Sequence, residues 1–274
     1  MAAVDTARRS SGPEAGPDAR TRWWTQGLLI AVVWWAYDAV NNLAPLRGAA
    51  ALAHGAAILR LETILHLDAE RGLNRWLGSH LLVGRWMSSY YNTAHFAVTI
   101  AVLGWVWVRH HGDYRPLRNG LLGINLIGFL VYWAFPVAPP RMLAGFTDIA
   151  EVAHTFGVST TTLASQANEY AAMPSLHVAW ALWCALAVWV VSRDRRYRVV
   201  AAGHVALTTV VVLATANHYL LDVVAGVLTT AAACSVVPLA TLWQPTRVAP
   251  ASSPSGAGAE VVDEDEVDEV ATPS

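Results

Sequence analysis

Charge is what this chain has least of: 14% of its 274 residues are charged, and no lysine occurs at all. A soluble globular domain carries about 25% charged residues, so the scarcity excludes water as the solvent for most of the surface. Only two cysteines are present, Cys184 and Cys234. Both sit inside apolar runs, where Cys behaves as a small buried hydrophobe, and a disulfide framework is excluded. The arginines form no stripe with interleaved aromatics, and the formal net charge is only -2; nucleic-acid binding is not expected. No small-residue cleavage pattern follows the first apolar run at Trp23, so that run is expected to be a retained span rather than a signal peptide. No internal repeat is found.

What the chain does have is apolar length. Hydrophobic residues make up 55% of it, concentrated between Trp23 and Trp243, the pattern of an all-α polytopic membrane protein. Residues 1–22 and the acidic, low-complexity residues 244–274 are expected to be disordered tails flanking a membrane domain at 23–243. Six transmembrane helices are predicted, at about Trp23–Leu43, Trp86–Val108, Leu117–Val137, Pro174–Val191, Val199–Ala216 and His218–Leu242, each near the roughly 20 residues that cross a bilayer. The last two come from one apolar run, Val199 to Trp243, of 45 residues. As a single helix it would reach about 68 Å, some twice the hydrocarbon thickness, so it must turn back. Thr215, Asn217 and His218 form the natural corner, with Asn217 as helix cap. Between the first two spans, Ile58, Leu61, Leu65, Leu73 and Leu77 recur among charged residues, which predicts one interfacial amphipathic helix over Ala50–Leu82.

Orientation follows from the arginines, because short cytoplasmic loops are enriched in positive charge. The two tails and the Arg109–Arg118 and Arg193–Arg198 loops collect twelve of the eighteen. Both termini are therefore expected in the cytoplasm of a multi-pass cell-membrane protein. Three polar motifs then fall on the opposite, extracytoplasmic face: Ala138-Pro139-Pro140-Arg141, Met173-Pro174-Ser175-Leu176-His177 and Asn217-His218-Tyr219-Leu220-Leu221-Asp222.

His218 and Asp222 are four residues apart and share a helical face, so the carboxylate can orient the imidazole and raise its basicity. That pair suits a nitrogen nucleophile or base. Pro174 fits the first turn of a helix and Ser175 follows it, placing backbone amides where a phosphate can dock. His177, one turn in, is placed to protonate a leaving oxygen. Arg141 can clamp phosphate oxygens with its planar fork. Each has a plainer reading: Ser175 as a helix cap, Arg141 as an interface anchor, a single histidine as a structural hydrogen bonder. Tyr91, Asn92 and His95 on the second span line either an acceptor pocket or an interhelical hydrogen bond; His204 looks structural. No zinc-type spacing occurs, and neither a metal nor a cofactor is expected.

At these motifs the chain resembles the type-2 phosphatidic acid phosphatase superfamily, whose signature is a basic first motif, a P-S-x-H motif and a final H-x-x-x-D motif. The resemblance runs from about Trp86 to Leu242. It implies that His218 attacks phosphorus to form a phosphohistidine, that Asp222 orients it, that His177 protonates the leaving group, and that no metal is needed. Two departures are notable. Leu176 stands where Gly usually precedes the middle His, and Val211-Val212 stands where a Ser-Arg pair usually lies. These features look more like the inositol phosphorylceramide synthase branch, an inositolphosphotransferase type. The expectation is a lipid phosphotransferase acting on a phospholipid or polyprenyl phosphate. A lipid phosphate or polyprenyl diphosphate phosphatase is the alternative, and a non-catalytic membrane binding protein or transporter the remaining one.

Overall fold

The computed structural model describes residues 23–43, 47–153 and 169–242. The tails expected at 1–22 and 244–274 lie outside the described residues. Within them the structure is helical, with no strand beyond one isolated bridge. In chain order the helices are α1 (Trp23–Leu43), α2 (Gly48–Ile64), α3 (Ala69–Gly78), α4 (Leu81–Arg109), α5 (His111–Ala134), α6 (Ile149–Val152), α7 (Leu176–Val191), α8 (Arg195–Ala214) and α9 (Leu220–Leu242), with a 3-10 turn at Pro140–Met142.

Three of these, α4, α5 and α8, are long and apolar enough to cross a membrane; α2 and α3 pass the same test as one bent pair, and α7 and Leu220–Val236 of α9 are apolar but shorter. Large apolar side chains such as Leu82, Ile100, Val190, Val200 and Leu228 are exposed. Such a surface suits hydrocarbon, since helices satisfy their own backbone groups there.

The single amphipathic helix predicted over Ala50–Leu82 is instead two helices meeting at 104°. A local hydrogen-bond exchange ends α2: His66 adopts φ 54°, its amide donates to the Thr63 carbonyl, and the Leu67 amide donates to the Glu62 carbonyl. This left-handed cap closes a helix wherever its last carbonyls need donors. Nor is α2 merely interfacial, because one face, Ala51, Gly55, Ile58 and Glu62, is buried against the protein.

The core is built by α5, α7 and α9. Ile124, Ala179, Trp183, Cys184, Ala187 and Ala233 pack together, and the Trp183 indole donates to the Leu117 carbonyl at 2.9 Å. Membrane helices gain little from apolar burial against one another and rely on close approach at small residues. Gly226 on α9 illustrates this: a Cβ there would stand 2.6 Å from the Ser175 carbonyl oxygen. At Gly128 a Cβ would stand 2.7 Å from Leu176, so the leucine of the P-S-L-H motif fills the groove that α5 leaves open. Gly226→Ala is accordingly expected to destabilise the protein by about 1–3 kcal/mol through overpacking. Gly203→Ala, where nothing lies within 4 Å, should leave the melting temperature in detergent unchanged or raise it slightly, since Ala is the better helix former. Equal melting of the two variants would refute the close-contact account.

Loops carrying the polar motifs are stitched by main-chain bonds. Val137 and Ala171 form the isolated parallel bridge, with the Val137 amide donating to Tyr170 and the Ala172 amide to Val137. The Ser175 amide donates to the Asp222 carbonyl at 3.0 Å, and the Tyr132 hydroxyl to the Pro174 carbonyl at 2.8 Å. These bonds carry the ends of α5, α7 and α9 to one place.

Candidate active site

At that place the rings of His177 and His218 lie 5.6 Å apart, centroid to centroid. Each sits at the start of an apolar helix, His177 in the first turn of α7 and His218 two residues before α9. His218 is 2% exposed, and its Nδ1 lies 2.8 Å from the Ala172 carbonyl oxygen. A carbonyl only accepts, so Nδ1 must carry a proton, and in the neutral ring Nε2 then keeps its lone pair. That Nε2 has no hydrogen-bond partner among the described residues, and neither has Nε2 of His177. An unpaired buried ring nitrogen is costly unless something else uses it. Two of them, on rings 5.6 Å apart, mark a candidate site for a reacting group.

Asp222 is wholly buried, and its Oδ2 lies 3.4 Å from His218 Nδ1. The carboxylate is therefore the second partner of that nitrogen, longer than the Ala172 carbonyl. Oδ2 also accepts from the Tyr219 amide at 2.9 Å, a cap on the first turn of α9. Tyr91 stacks on His177 with centroids 4.1 Å apart, and His95 meets it edge-on at 4.2 Å. His95 Nδ1 is 2.9 Å from the Tyr91 carbonyl, which orients that ring as well. Asn92, half-buried one step round α4, is not part of this stack. Tyr90 points the other way: its hydroxyl bonds His204 Nδ1 at 2.7 Å and Thr208 at 3.0 Å, joining α4 to α8.

A family model described as the PAP2 superfamily matches residues 56–236. The chain belongs to the PAP2 superfamily. No curated protein and no solved structure matches it. Membership puts this chain among membrane-seated phosphatases and phosphotransferases acting on lipid phosphates.

Against the superfamily motifs, several sequence expectations need adjusting. Pro174 does not open α7; it precedes Ser175, which is the N-cap. The Ser175 Oγ is fully buried and accepts from the Val178 amide at 3.4 Å, so the hydroxyl serves as a cap. Asn217 is not the cap of α9, because that helix begins at Leu220. Its Oδ1 instead accepts from Arg141 Nε at 2.9 Å, and its Nδ2 donates to Thr215 at 2.9 Å. Asn217, the residue before His218 in the chain, thus holds Arg141 beside that histidine's segment. The Arg141 amide also donates to the Ala216 carbonyl, and its guanidinium pairs with Asp148 at 3.5 Å.

Where superfamily phosphatases usually carry Ser-Arg, both Val211 and Val212 are wholly buried. The Val212 carbonyl accepts from the Asn217 and His218 amides, so this stretch sets the corner through its backbone. Ala216 at the corner adopts φ 53°, the position such a cap usually gives to Gly. Neither Arg71 nor Arg85 replaces the missing guanidinium at this corner: Arg71 pairs with Asp68 and covers the Phe146 ring, and Arg85 donates to the Ala153 carbonyl.

Reading the sequence missed two groups. One is the Ala172 carbonyl, which no side-chain pattern announces. The other is Glu62, whose Oε1 accepts from the Leu221 amide at 2.6 Å. A signal for Glu62 did exist, since it falls four residues after Ile58, on the buried stripe of α2 rather than on its polar face.

Proposed function

We propose that this protein is a metal-independent lipid phosphotransferase of the cell membrane, working through a phosphohistidine on His218. The observation that carries the reading is the pair of unpartnered Nε2 atoms on His218 and His177, one with its lone pair set by the Ala172 carbonyl. In the first step His218 Nε2 attacks phosphorus and the bond from phosphorus to the lipid oxygen breaks. Protonated His177 gives its proton to that departing oxygen. In the second step an acceptor hydroxyl loses its proton to neutral His177 and its oxygen attacks phosphorus; the N–P bond breaks and His218 is restored. Splitting one displacement into two is what a nucleophile contributes. Asp222 orients His218 and offsets the charge that develops on it. Arg141, held by Asn217, binds the phosphate oxygens together with amides at the start of α7. Pro174 and Ser175 set the path of those amides, and Tyr91, Asn92 and His95 line the acceptor side.

In this reading α1, α4, α5, α7, α8 and α9 are six crossings and the bent α2–α3 pair lies at the outer interface. The site faces the extracytoplasmic side and both termini the cytoplasm, as the arginine distribution supports. The P-S-L-H form and the absent Ser-Arg pair favour transfer of a phosphoinositol-type headgroup between lipids. A phosphatase acting on lipid phosphates or polyprenyl diphosphates is the second reading, favoured by superfamily membership, which spans both activities. One experiment separates them. Purified protein is incubated with a panel of phospholipids, with and without ceramide, diacylglycerol and inositol lipids, and products are identified by mass. A new headgroup-bearing lipid that forms only with an alcohol acceptor is the expected result. Release of free phosphate without any acceptor would favour hydrolysis, and no reaction with any lipid would defeat both.

A further inference from the structure

Helix α2 carries a carboxylate that the reaction above does not use. Glu62 is wholly buried, and so is Glu70 of α3. Burying a carboxyl group is unfavourable unless it is tied to something. Glu62 Oε1 is tied to the Leu221 amide, between His218 and Asp222 in sequence. Amides in the first turn of a helix have no partner within the helix, and an acidic acceptor is favoured there by the helix dipole. Asp222 already takes the Tyr219 amide. Two acidic side chains, one local and one from 159 residues earlier, therefore hold the same turn.

Geometry around α2 is tight. A Cβ on Gly55 would stand 2.6 Å from the Ala138 carbonyl and 2.8 Å from the Tyr219 hydroxyl. That hydroxyl donates to the Ala138 carbonyl at 2.9 Å, and the Ala138 amide donates to the Ala51 carbonyl at 3.0 Å. The face of α2 bearing Glu62 thus rests on the residue next to His218. No other side-chain donor reaches Glu62 Oε2 or either oxygen of Glu70 among the described residues. The two carboxyl groups are near enough to influence each other electrostatically.

Building on the phosphoryl-transfer reading of His218, we propose that Glu62 is a positioning residue for that reaction: its Oε1 fixes the start of α9 and with it the direction in which His218 presents Nε2. It does not touch the reacting atoms.

The test compares E62Q, E62A and E70Q in the purified full-length protein, with phosphatidate in mixed micelles as the probe. Phosphorus transfer or release is followed together with hydrogen exchange in residues 217–224. Glutamine keeps an acceptor for the Leu221 amide and offers an NH2 to Glu70. E62Q is therefore expected to hold kcat within about 3-fold of wild type, whereas E62A lowers kcat by about 10–100-fold at little-changed KM, the scale of a misplaced reacting group. E62A should also speed exchange in residues 217–224, and E62Q should not. E70Q, which leaves the contact of Glu62 with the Leu221 amide untouched, should follow E62Q. The proposal is overturned if folded E62A keeps its kcat, if its loss falls on KM alone, if E62Q falls as far as E62A, or if exchange in that segment is the same in E62A and wild type. Wild-type protein that turns over no lipid phosphate defeats the functional reading instead, and the exchange comparison still decides whether Glu62 holds α9. Should E62A fail to fold, E62D, whose shorter side chain draws the acceptor back from the Leu221 amide, takes its place and is expected to lose kcat and gain exchange in the same way.

Discussion

Replacing His218 with glutamine is expected to lower turnover by at least about 10⁴-fold, the scale seen when a covalent nucleophile is removed. Glutamine is close in size to the imidazole and is able to keep a donor toward the Ala172 carbonyl, so the loop has no reason to rearrange. What it lacks is the lone pair that His218 Nε2 holds free. The variant should bind substrate and do nothing further. With a lipid labelled at phosphorus and rapid quenching at alkaline pH, wild-type protein should retain acid-labile label, and H218Q none. Turnover of H218Q near the wild-type rate would remove the nucleophile from His218 and leave the site without a mechanism of this kind.

The second large effect depends on the leaving group. His177 is assigned the proton that goes to the departing lipid oxygen, and an alkoxide leaves poorly without one. His177→Gln is expected to slow reaction of a lipid phosphate by about 10²–10⁴-fold, the usual contribution of a general acid. In a single turnover with p-nitrophenyl phosphate the same variant should release p-nitrophenolate within about tenfold of the wild-type rate, because that leaving group needs no proton to depart, while steady-state turnover still falls for want of the base in the second step. Equal losses on the two substrates would show that His177 acts in some other way, for instance by supporting the ring stack with Tyr91 and His95. Both rings lie close enough for this division of labour, at 5.6 Å between centroids.

Much of the architecture was legible because membrane helices announce themselves by length and apolarity. Helix α1 has the bounds expected at about Trp23–Leu43, though it is not among the helices apolar enough to pass as crossings, and the break between α8 and α9 falls at the corner expected from the impossibility of a 45-residue crossing. Boundaries set by main-chain hydrogen bonds were less visible. Ser175, not Pro174, marks the start of α7, and Leu220 rather than His218 begins α9, because caps belong to local backbone geometry that composition does not encode. The bend at His66 was missed for the same reason, since no glycine or proline marks it.

Within the site, the motif histidines and Asp222 stood out by residue type and spacing. Their surroundings did not. Asn217, expected as a cap, is the partner of Arg141, and Glu62, one of the charged residues of the expected interfacial helix, is buried against the start of α9. Both errors come from contacts between segments distant in sequence, where spacing along one helix carries no information about what covers it. Leu176 shows the converse case. It departs from the usual glycine, and Gly128 on another helix, which has no side chain, leaves room for it.

The nearest partner of His218 Nδ1 is a peptide oxygen rather than a side chain. No single substitution at position 172 deletes that acceptor, whereas rerouting the Val137–Ala171 crossing would displace it without altering either histidine. The protonation pattern of the ring is thus inherited from the course of the chain, so insertions near that crossing threaten reactivity more than most replacements do.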